Sequence, residues 1–238
     1  MKNYINNIKV LFTASLSFFV LSCDIGLQDT FEFVPDVDLT DPYGNMTAWE
    51  FISSDVVNGN LSDTGGLIGE HFDYMSAAIE AAGMIDEYNA ANGERTYLLL
   101  NNNAFTGGGD IIQLITNSSS VAAGETPAQV MARADMDVLR TILRYHIVTT
   151  YITQTDPLKK YNLNYIFQTL IDGEDGRIVM RRDDRYRIDI NRSPAPLPSS
   201  ATSQYERVRN YNYVFSNGIG HMIQDPVRNR PYPRANPN

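Results

Sequence analysis

Three histidines, His71, His146 and His221, are the side chains whose chemistry would suit proton transfer or metal binding. A metal site would need them to converge with oxygen ligands and with groups that orient the imidazoles. No two of the three stand at the spacing of paired ligands along the chain. The simpler interpretation is a buried, neutral imidazole hydrogen-bonded to the backbone. We therefore predict no metal site and no cofactor.

Other residue types that serve catalysis occur without the context that catalysis needs. The serines at 118–120 lie in a polar run with no glycine elbow around them, unlike a hydrolase nucleophile. The glycines at 107–109 lack the lysine and the following helix pattern of a phosphate-binding loop. Asp183 and Asp184 sit among arginines, which is more typical of a solvated, charge-balanced surface than of an acid–base pair. The sequence predicts a protein that binds and does not catalyse.

An arginine-rich stretch at residues 177–192 stands out in a chain whose net charge is −9. Its candidate binding residues are Arg177, Arg181, Arg182, Arg185 and Arg187. A guanidinium binds a carboxylate through two parallel hydrogen bonds, so these residues suit an acidic protein partner or an anionic glycan. The favoured alternative is that they pair across a hairpin with the aspartates at 183, 184 and 189.

The elements that must position these groups centre on residues 137–148. The apolar spacing up to Tyr145 predicts an amphipathic helix. The β-branched run at 147–153 predicts a strand directly after it. Tyr145 and His146 stand at the joint, where the pair is either a candidate binding site or simply packs helix against strand.

The N-terminus is typical of an exported protein. Residues 10–21 form an apolar run that is too short to span a bilayer and suits the core of a signal peptide. Cys23 is the only cysteine, which excludes an intramolecular disulfide. A cysteine placed after an apolar run and a small residue resembles the lipobox of bacterial lipoproteins. The resemblance implies cleavage of a signal peptide at residues 1–22 and lipidation of Cys23; the alternative is a plain signal peptide followed by a free thiol.

Charge limits the partners of the mature chain. Removing residues 1–22 takes away two lysines and no acidic residue, which leaves 17 basic and 28 acidic residues and a net charge of −11. This charge argues against nucleic acid and against electrostatic binding to anionic lipid. Membrane attachment is therefore expected to come from the lipid on Cys23. Residues 23–46 contain acidic residues and no basic ones, which predicts an extended tether. Alternatively, residues 31–34 add as a strand to the sheet edge of a partner.

Apolar periodicity and turn residues predict the elements from residue 47 onward. Thr47 and Glu50 predict a capping box at the start of a first helix. Further helices are predicted at 71–88, 128–133 and 136–145, and 111–115 is either helix or strand. Strands are predicted at 96–100, 147–153, 165–170, 177–181, 186–190 and 211–215, with a loop at 193–203 and a turn at 217–218.

Four of these segments, taken in order, resemble the signatures of a single fasciclin (FAS1) domain. They are the alanine-rich helix from Phe72, the segment from Thr96 to Phe105 (a strand, a turn and a closing Ala-Phe), the helix with the Tyr145–His146 pair, and the closing segment at 217–223. The resemblance covers residues 47–233 and leaves 234–238 as a tail. It implies an α+β fold, a wedge-shaped β-sandwich with several helices packed at one side.

The resemblance also bears on individual residues. Asn101 and Asn102 stand where the family usually has a proline and a threonine, and asparagine suits a turn through its own side chain. In animal relatives the Tyr–His region is linked to adhesion to cell receptors, which makes Tyr145 and His146 candidates for binding here.

Both resemblances together predict a lipid-anchored protein in the envelope of a diderm bacterium. It is expected on the outer membrane, at the cell surface or alternatively on the periplasmic face. The leading hypothesis is adhesion or protein–protein association through the loops and the arginine-bearing hairpin. The alternative is an accessory glycan- or nutrient-binding lipoprotein of a starch-utilisation-type outer-membrane transporter. The expected partner is thus an envelope protein or a surface glycan.

Overall fold

The computed structural model describes residues 41–61, 66–91, 93–107, 111–118, 121–202 and 205–227. All of them belong to a compact unit that spans residues 40–238. The predicted signal peptide, Cys23, the tether up to residue 40 and the tail lie outside the described residues. Predictions about those segments stay predictions.

The described residues form short helices and two sheets. The helices are α1 (Ala48–Ile52), α2 (Asp73–Ala82), α3 (Ile85–Asn89), α4 (Asn102–Thr106), α5 (Ile111–Thr116), α6 (Pro127–Met131), α7 (Met136–Tyr145) and α8 (Ser199–Thr202). The strands are β1 (Arg95–Leu100), β2 (Ile147–Val148), β3 (Tyr165–Gln168), β4 (Arg177–Arg182), β5 (Ile188–Ile190), β6 (Glu206–Arg207), β7 (Asn210–Phe215) and β8 (Gly218–Ile223).

Each sheet has four strands. The first has the order β2-β1-β8-β7, in which β1 and β8 run parallel along their full length and the outer pairs are antiparallel. The second has the order β3-β4-β5-β6 and is antiparallel throughout. A bridge between Val148 and Thr169 links the end of β2 to the residue after β3. Leu98 of the first sheet and Met180 of the second belong to the same hydrophobic core. This arrangement confirms the predicted α+β fold.

Local sequence signals account for several helix starts. Thr47 accepts a hydrogen bond from the Glu50 N–H while the Glu50 side chain accepts from the Thr47 N–H, so the predicted capping box is confirmed. A second box, between Thr126 and Gln129, opens α6 with a proline in its first turn. The stretch at 111–115, which periodicity leaves undecided, is helical.

The predicted single helix over 71–88 is wrong, because the chain breaks it into α2 and α3 at Gly83. Gly83 adopts φ +67°, and its N–H bonds back to the carbonyls of Ile79 and Glu80. A residue in the left-handed conformation ends a helix, and glycine adopts this conformation at the lowest steric cost because it has no Cβ. The apolar positions on both sides of Gly83 match one helical face, so periodicity alone does not reveal the break.

The strand predicted at 147–153 is also too long, since only Ile147 and Val148 pair with β1. Beyond Val148, the side chain of Thr96 forms the hydrogen bonds in place of the backbone groups of a strand. The Thr96 hydroxyl donates to the Thr150 carbonyl (2.7 Å) and accepts from the Ile152 N–H (2.9 Å). The chain is thereby held beside β1 without continuing as a strand.

The turn after β1 depends on the two asparagines that distinguish this sequence. Asn101 caps α4 by accepting the Ala104 N–H. The buried Asn102 accepts the Tyr74 N–H (3.1 Å) and donates to the carbonyl of Ile68 (2.8 Å) and to Asp73 Oδ2 (2.7 Å). The asparagines thus build the turn with their own side chains, as expected from their chemistry.

The second sheet differs from prediction at its turns. Tyr186 has φ +62°, so the strand predicted from residue 186 begins at Ile188. The predicted loop at 193–203 contains the short helix α8, and it is followed by β6, which the sequence does not predict. Strand β6 is only two residues long, which is too short to show the alternation of apolar and polar residues that predicts a strand, and it pairs with β5.

Candidate functional site

The Tyr145–His146 joint is completely buried. The Tyr145 hydroxyl donates to the Arg177 carbonyl (2.8 Å) and accepts from Asn191 Nδ2 (3.0 Å). Asn191 also donates to the Val227 carbonyl (3.2 Å). Tyr145 therefore ties the end of α7 to the start of β4 and, through Asn191, to the segment after β8.

The His146 ring has a single tautomer that fits its surroundings. Its Nε2 lies 3.2 Å from the Val227 N–H, which can only donate, so Nε2 is the acceptor. Its Nδ1 therefore carries the proton and donates to the Ile142 carbonyl (2.7 Å). Burial lowers the pKa of His146 to about 4, so the ring is neutral at physiological pH.

His221 uses the opposite tautomer. Its Nε2 donates to the Ile152 carbonyl (2.8 Å), and its Nδ1 accepts the Asn212 N–H (3.2 Å). Burial lowers its pKa to about 4 as well. Across the described residues, no group of three or more His, Cys, Asp or Glu side chains is placed to hold a metal ion.

Neither Tyr145 nor His146 presents surface to a partner in this structure, because both are 0% exposed. Their polar atoms are engaged in joining helix, strand and C-terminal segment. A binding role for the pair stays a prediction, and the accessible chemistry lies elsewhere.

The predicted arginines divide into separate environments. Arg182 is buried, and it donates to the carbonyls of Leu158 (2.8 Å) and Lys159 (2.6 Å). Arg177 is exposed and pairs with Glu174 (2.6 Å). Arg187 pairs with Asp183 (2.7 Å), and Arg185 is exposed at the hairpin turn. These four residues thus differ in exposure and in partners.

The fifth residue, Arg181, belongs to a cluster around Asp189. Arg181 of β4 and Arg207 of β6 stand opposite Asp189 on either side, and Arg192 reaches back from three residues beyond it. Asp189 Oδ1 accepts from Arg207 Nε (2.7 Å), and Oδ2 accepts from Arg192 Nη1 (2.7 Å), with Arg181 Nη2 at 3.7 Å. We call these four residues the Asp189 cluster.

The cluster lies on the face of the second sheet that is turned away from the hydrophobic core. Met180 and Ile188, the neighbours of Arg181 and Asp189 along their strands, belong to the core. Because side chains alternate along a strand, the cluster occupies the opposite face, which we call the outer face.

Electrostatics favours a charged carboxylate inside the cluster. Burial alone would raise the pKa of Asp189, but hydrogen bonds and charge from Arg207 and Arg192 outweigh it and hold that pKa below its usual value. One carboxylate thus faces three guanidinium groups. The pairing anticipated for the hairpin is present at Asp183 and Asp189, but it leaves positive charge in excess around Asp189.

The sequence-based site omits Arg192 and Arg207. Arg192 stands three residues after Asp189, a local signal that is visible in the sequence. Arg207 reaches Asp189 only because β6 pairs with β5 across the intervening loop. No spacing rule would reveal that contact.

A second accessible feature is an apolar group at strand β3. Tyr161, Leu163 and Ile166 are 63%, 47% and 49% exposed. Among the described residues, strand β3 pairs with β4 alone and forms one edge of the second sheet. We call Tyr161, Leu163 and Ile166 the β3 edge group.

Comparison with known proteins gives a family and related solved structures. A model of the fasciclin domain matches residues 70–227. A solved FAS1 domain pair from the insect cell adhesion molecule fasciclin I resembles the chain with a TM-score of 0.48 at 16% identity. That likeness covers 77% of this chain and 51% of the insect chain. No curated protein matches the sequence. Among the described residues, no helix is both long and apolar enough to cross a membrane.

Proposed function

Because the chain belongs to the fasciclin domain family, we propose that it acts in adhesion or protein–protein association rather than in catalysis. The insect relative is a cell adhesion molecule, which supports a general binding role for this fold. His146 and His221 are buried, neutral and hydrogen-bonded to the backbone, so neither is placed for acid–base chemistry on a ligand.

The β3 edge group is the observation that carries the choice of a protein partner. Leu163 and Ile166 expose apolar surface beside strand β3, which among the described residues is an edge strand whose last residue, Gln168, accepts hydrogen bonds from Thr149. Such an edge accepts an extended segment of another chain through backbone hydrogen bonds.

A test compares the partners of two variants after purification from native membranes in a mild detergent. Changing Leu163 and Ile166 together to aspartate should remove a stoichiometric partner that the unaltered chain retains. Val56→Asp is the matched control, because Val56 is exposed to 70% but lies outside the second sheet. An unchanged set of partners in the double variant would contradict this surface. A stable transporter among the partners would favour the accessory-subunit alternative over free adhesion.

We also propose that the protein is attached to the outer membrane through a lipid on Cys23. The support is the apolar run followed by Ser22 and Cys23, the sole cysteine of the chain. Several acyl chains would give firm attachment, since each buried CH₂ contributes about 0.8 kcal/mol.

Replacing Cys23 by alanine should move the protein from the membrane fraction to the soluble fraction, because no thiol remains for lipidation. Fractionation followed by immunoblotting measures this, and alkaline carbonate extraction separates a true anchor from loose adsorption. Ser22→Ala keeps a small residue before the cysteine and serves as control. Retention of the Cys23→Ala protein in the membrane would refute the anchor.

A further inference from the structure

We propose that the Asp189 cluster, together with Tyr205, binds a carboxylate-bearing sugar such as a uronic acid. The site lies on the outer face of the second sheet. It goes beyond association through the β3 edge group, because it uses different residues and a different kind of ligand.

The first argument is charge. Asp189, which is 1% exposed, neutralises one of the three guanidinium groups around it. A second carboxylate on the hairpin, Asp183, forms its own ion pair with Arg187, with 2.7 Å between Asp183 Oδ2 and Arg187 Nε. The cluster therefore carries about two positive charges in excess by simple formal counting, although the chain as a whole is strongly acidic.

The second argument is the supply of hydrogen-bond donors. Each guanidinium has five N–H groups in a planar fork. Asp189 takes Nε of Arg207 and Nη1 of Arg192, which leaves further donors on both side chains for a ligand. Arg192 and Arg207 keep 40% and 32% of their side-chain surface exposed, so these donors can meet a ligand in solution.

The third argument is that the guanidinium groups are already oriented. A free arginine loses rotamer entropy when it binds an anion. Here Asp189 fixes Arg192 and Arg207 before any ligand arrives, since it is itself held between β4 and β6 by the strand register. Binding to a pre-organised pair costs less ordering entropy.

The aromatic ring of Tyr205 distinguishes a sugar from an acidic peptide. The guanidinium of Arg192 lies over this ring, 5.4 Å from its centre, and Tyr205 is 48% exposed. The exposed part of this ring, next to a guanidinium, fits a pyranose, whose C–H groups pack on the aromatic surface while its carboxylate pairs with the arginine. An acidic peptide would be bound by the guanidinium groups alone and would not require the aromatic ring.

Isothermal titration calorimetry of the purified chain with tetragalacturonate tests the proposal. Its methyl-esterified form and hexaglutamate are the comparison ligands. The acid sugar should bind, and the neutral ester should bind at least about tenfold more weakly, because a charge-assisted hydrogen bond is typically worth a tenfold change or more. Affinity should fall as salt increases.

Matched variants assign the binding to these residues. Arg192→Gln and Tyr205→Ala should each weaken tetragalacturonate binding by about tenfold or more, on the same scale of interaction energies. Arg185→Gln and Tyr186→Ala are the controls, because both residues are exposed at the hairpin turn outside the cluster. Tyr205→Ala leaves all the Asp189 pairs in place, so its result does not depend on the stability of the cluster.

Several results would overturn the proposal. Equal binding of the acid sugar and its ester would exclude recognition of the carboxylate. Binding of hexaglutamate as tight as that of tetragalacturonate would replace the sugar by an acidic peptide. Equal losses in the test and control variants would move the site elsewhere. None of these results bears on the β3 edge group, which is tested through its own variants.

Discussion

Replacing Asp189 by alanine should lower the free energy of unfolding by about 3 kcal/mol, the scale for removing one partner of a buried ion pair. The carboxylate is buried, and its loss removes the negative charge that Arg181, Arg192 and Arg207 share. The three arginines keep part of their surface in water, which holds the loss at the lower end of the range for buried charges. Urea unfolding measures it.

The salt dependence of this loss tests its electrostatic origin. Mutual repulsion among exposed guanidinium groups is screened by salt, so Asp189→Ala should be less destabilising at high ionic strength than at low. Asp184→Ala is the matched control, because Asp184 is exposed in the same hairpin and should change stability by less than about 0.5 kcal/mol. If the two variants unfold alike, Asp189 does not organise the second sheet.

Acidification from pH 6.5 to pH 4.5 should destabilise the protein, because His146 and His221 must become charged. Both are buried and neutral with a pKa of about 4, whereas an unfolded chain titrates near the ordinary value of 6.5. Between these values the unfolded state binds more protons, so the contribution of the two histidines to stability is full above pH 6.5 and falls as the pH falls. Each histidine contributes a slope of about 1.4 kcal/mol per pH unit in this window.

Glu206 opposes this trend. Burial, and then the neighbouring Asp225, raises the pKa of Glu206 to about 7, from an ordinary value of 4.5. The folded state therefore binds more protons at this carboxyl between pH 4.5 and 7, and its contribution to stability is lost as the pH rises through that window. Two histidines against one carboxyl leave a net slope of about 1.4 kcal/mol per pH unit on the acid side. Maximum stability is expected near pH 6.5.

Glu206→Gln separates the two contributions. Without the opposing carboxyl, the acid-side slope should approach about 2.7 kcal/mol per pH unit, the sum for two histidines. Urea midpoints measured at intervals between pH 4.5 and 8 give the slopes. Glu80→Gln, at an exposed helical position, is the control. An unchanged slope in Glu206→Gln would show that this carboxyl does not titrate in the window.

Sequence reasoning succeeds here where the signal is local. The Thr47–Glu50 capping box and the strand at Leu98 depend on neighbouring residues, and both are present. For Tyr145 and His146 the sequence predicts only part of the structure. The helix-to-strand joint is visible in the sequence, but the hydrogen bonds to Arg177 and Val227 are not.

The candidate site shows more clearly what local sequence patterns do not predict. Arg181 and Asp189 can be read as a cross-strand pair of one hairpin. Arg207 completes the cluster only after a loop and a two-residue strand bring it back beside β5. Tyr205, the residue before β6, likewise comes close to Arg192 only because β6 pairs with β5. Such contacts arise from tertiary pairing, which periodicity within a single segment does not encode.

The parallel pairing of β1 with β8 has a consequence for the order of folding. Arg95 pairs with Gly218 and Leu100 with Ile223, so the two central strands of the first sheet pair although most of the described domain lies between them along the chain. Loop closure over so long a separation costs entropy before its contacts form, and folding rates fall as such contacts dominate. The first sheet is complete only when the last strand has docked. A chain cut before residue 218 would lack a central strand, and β1 would present an open, apolar edge instead.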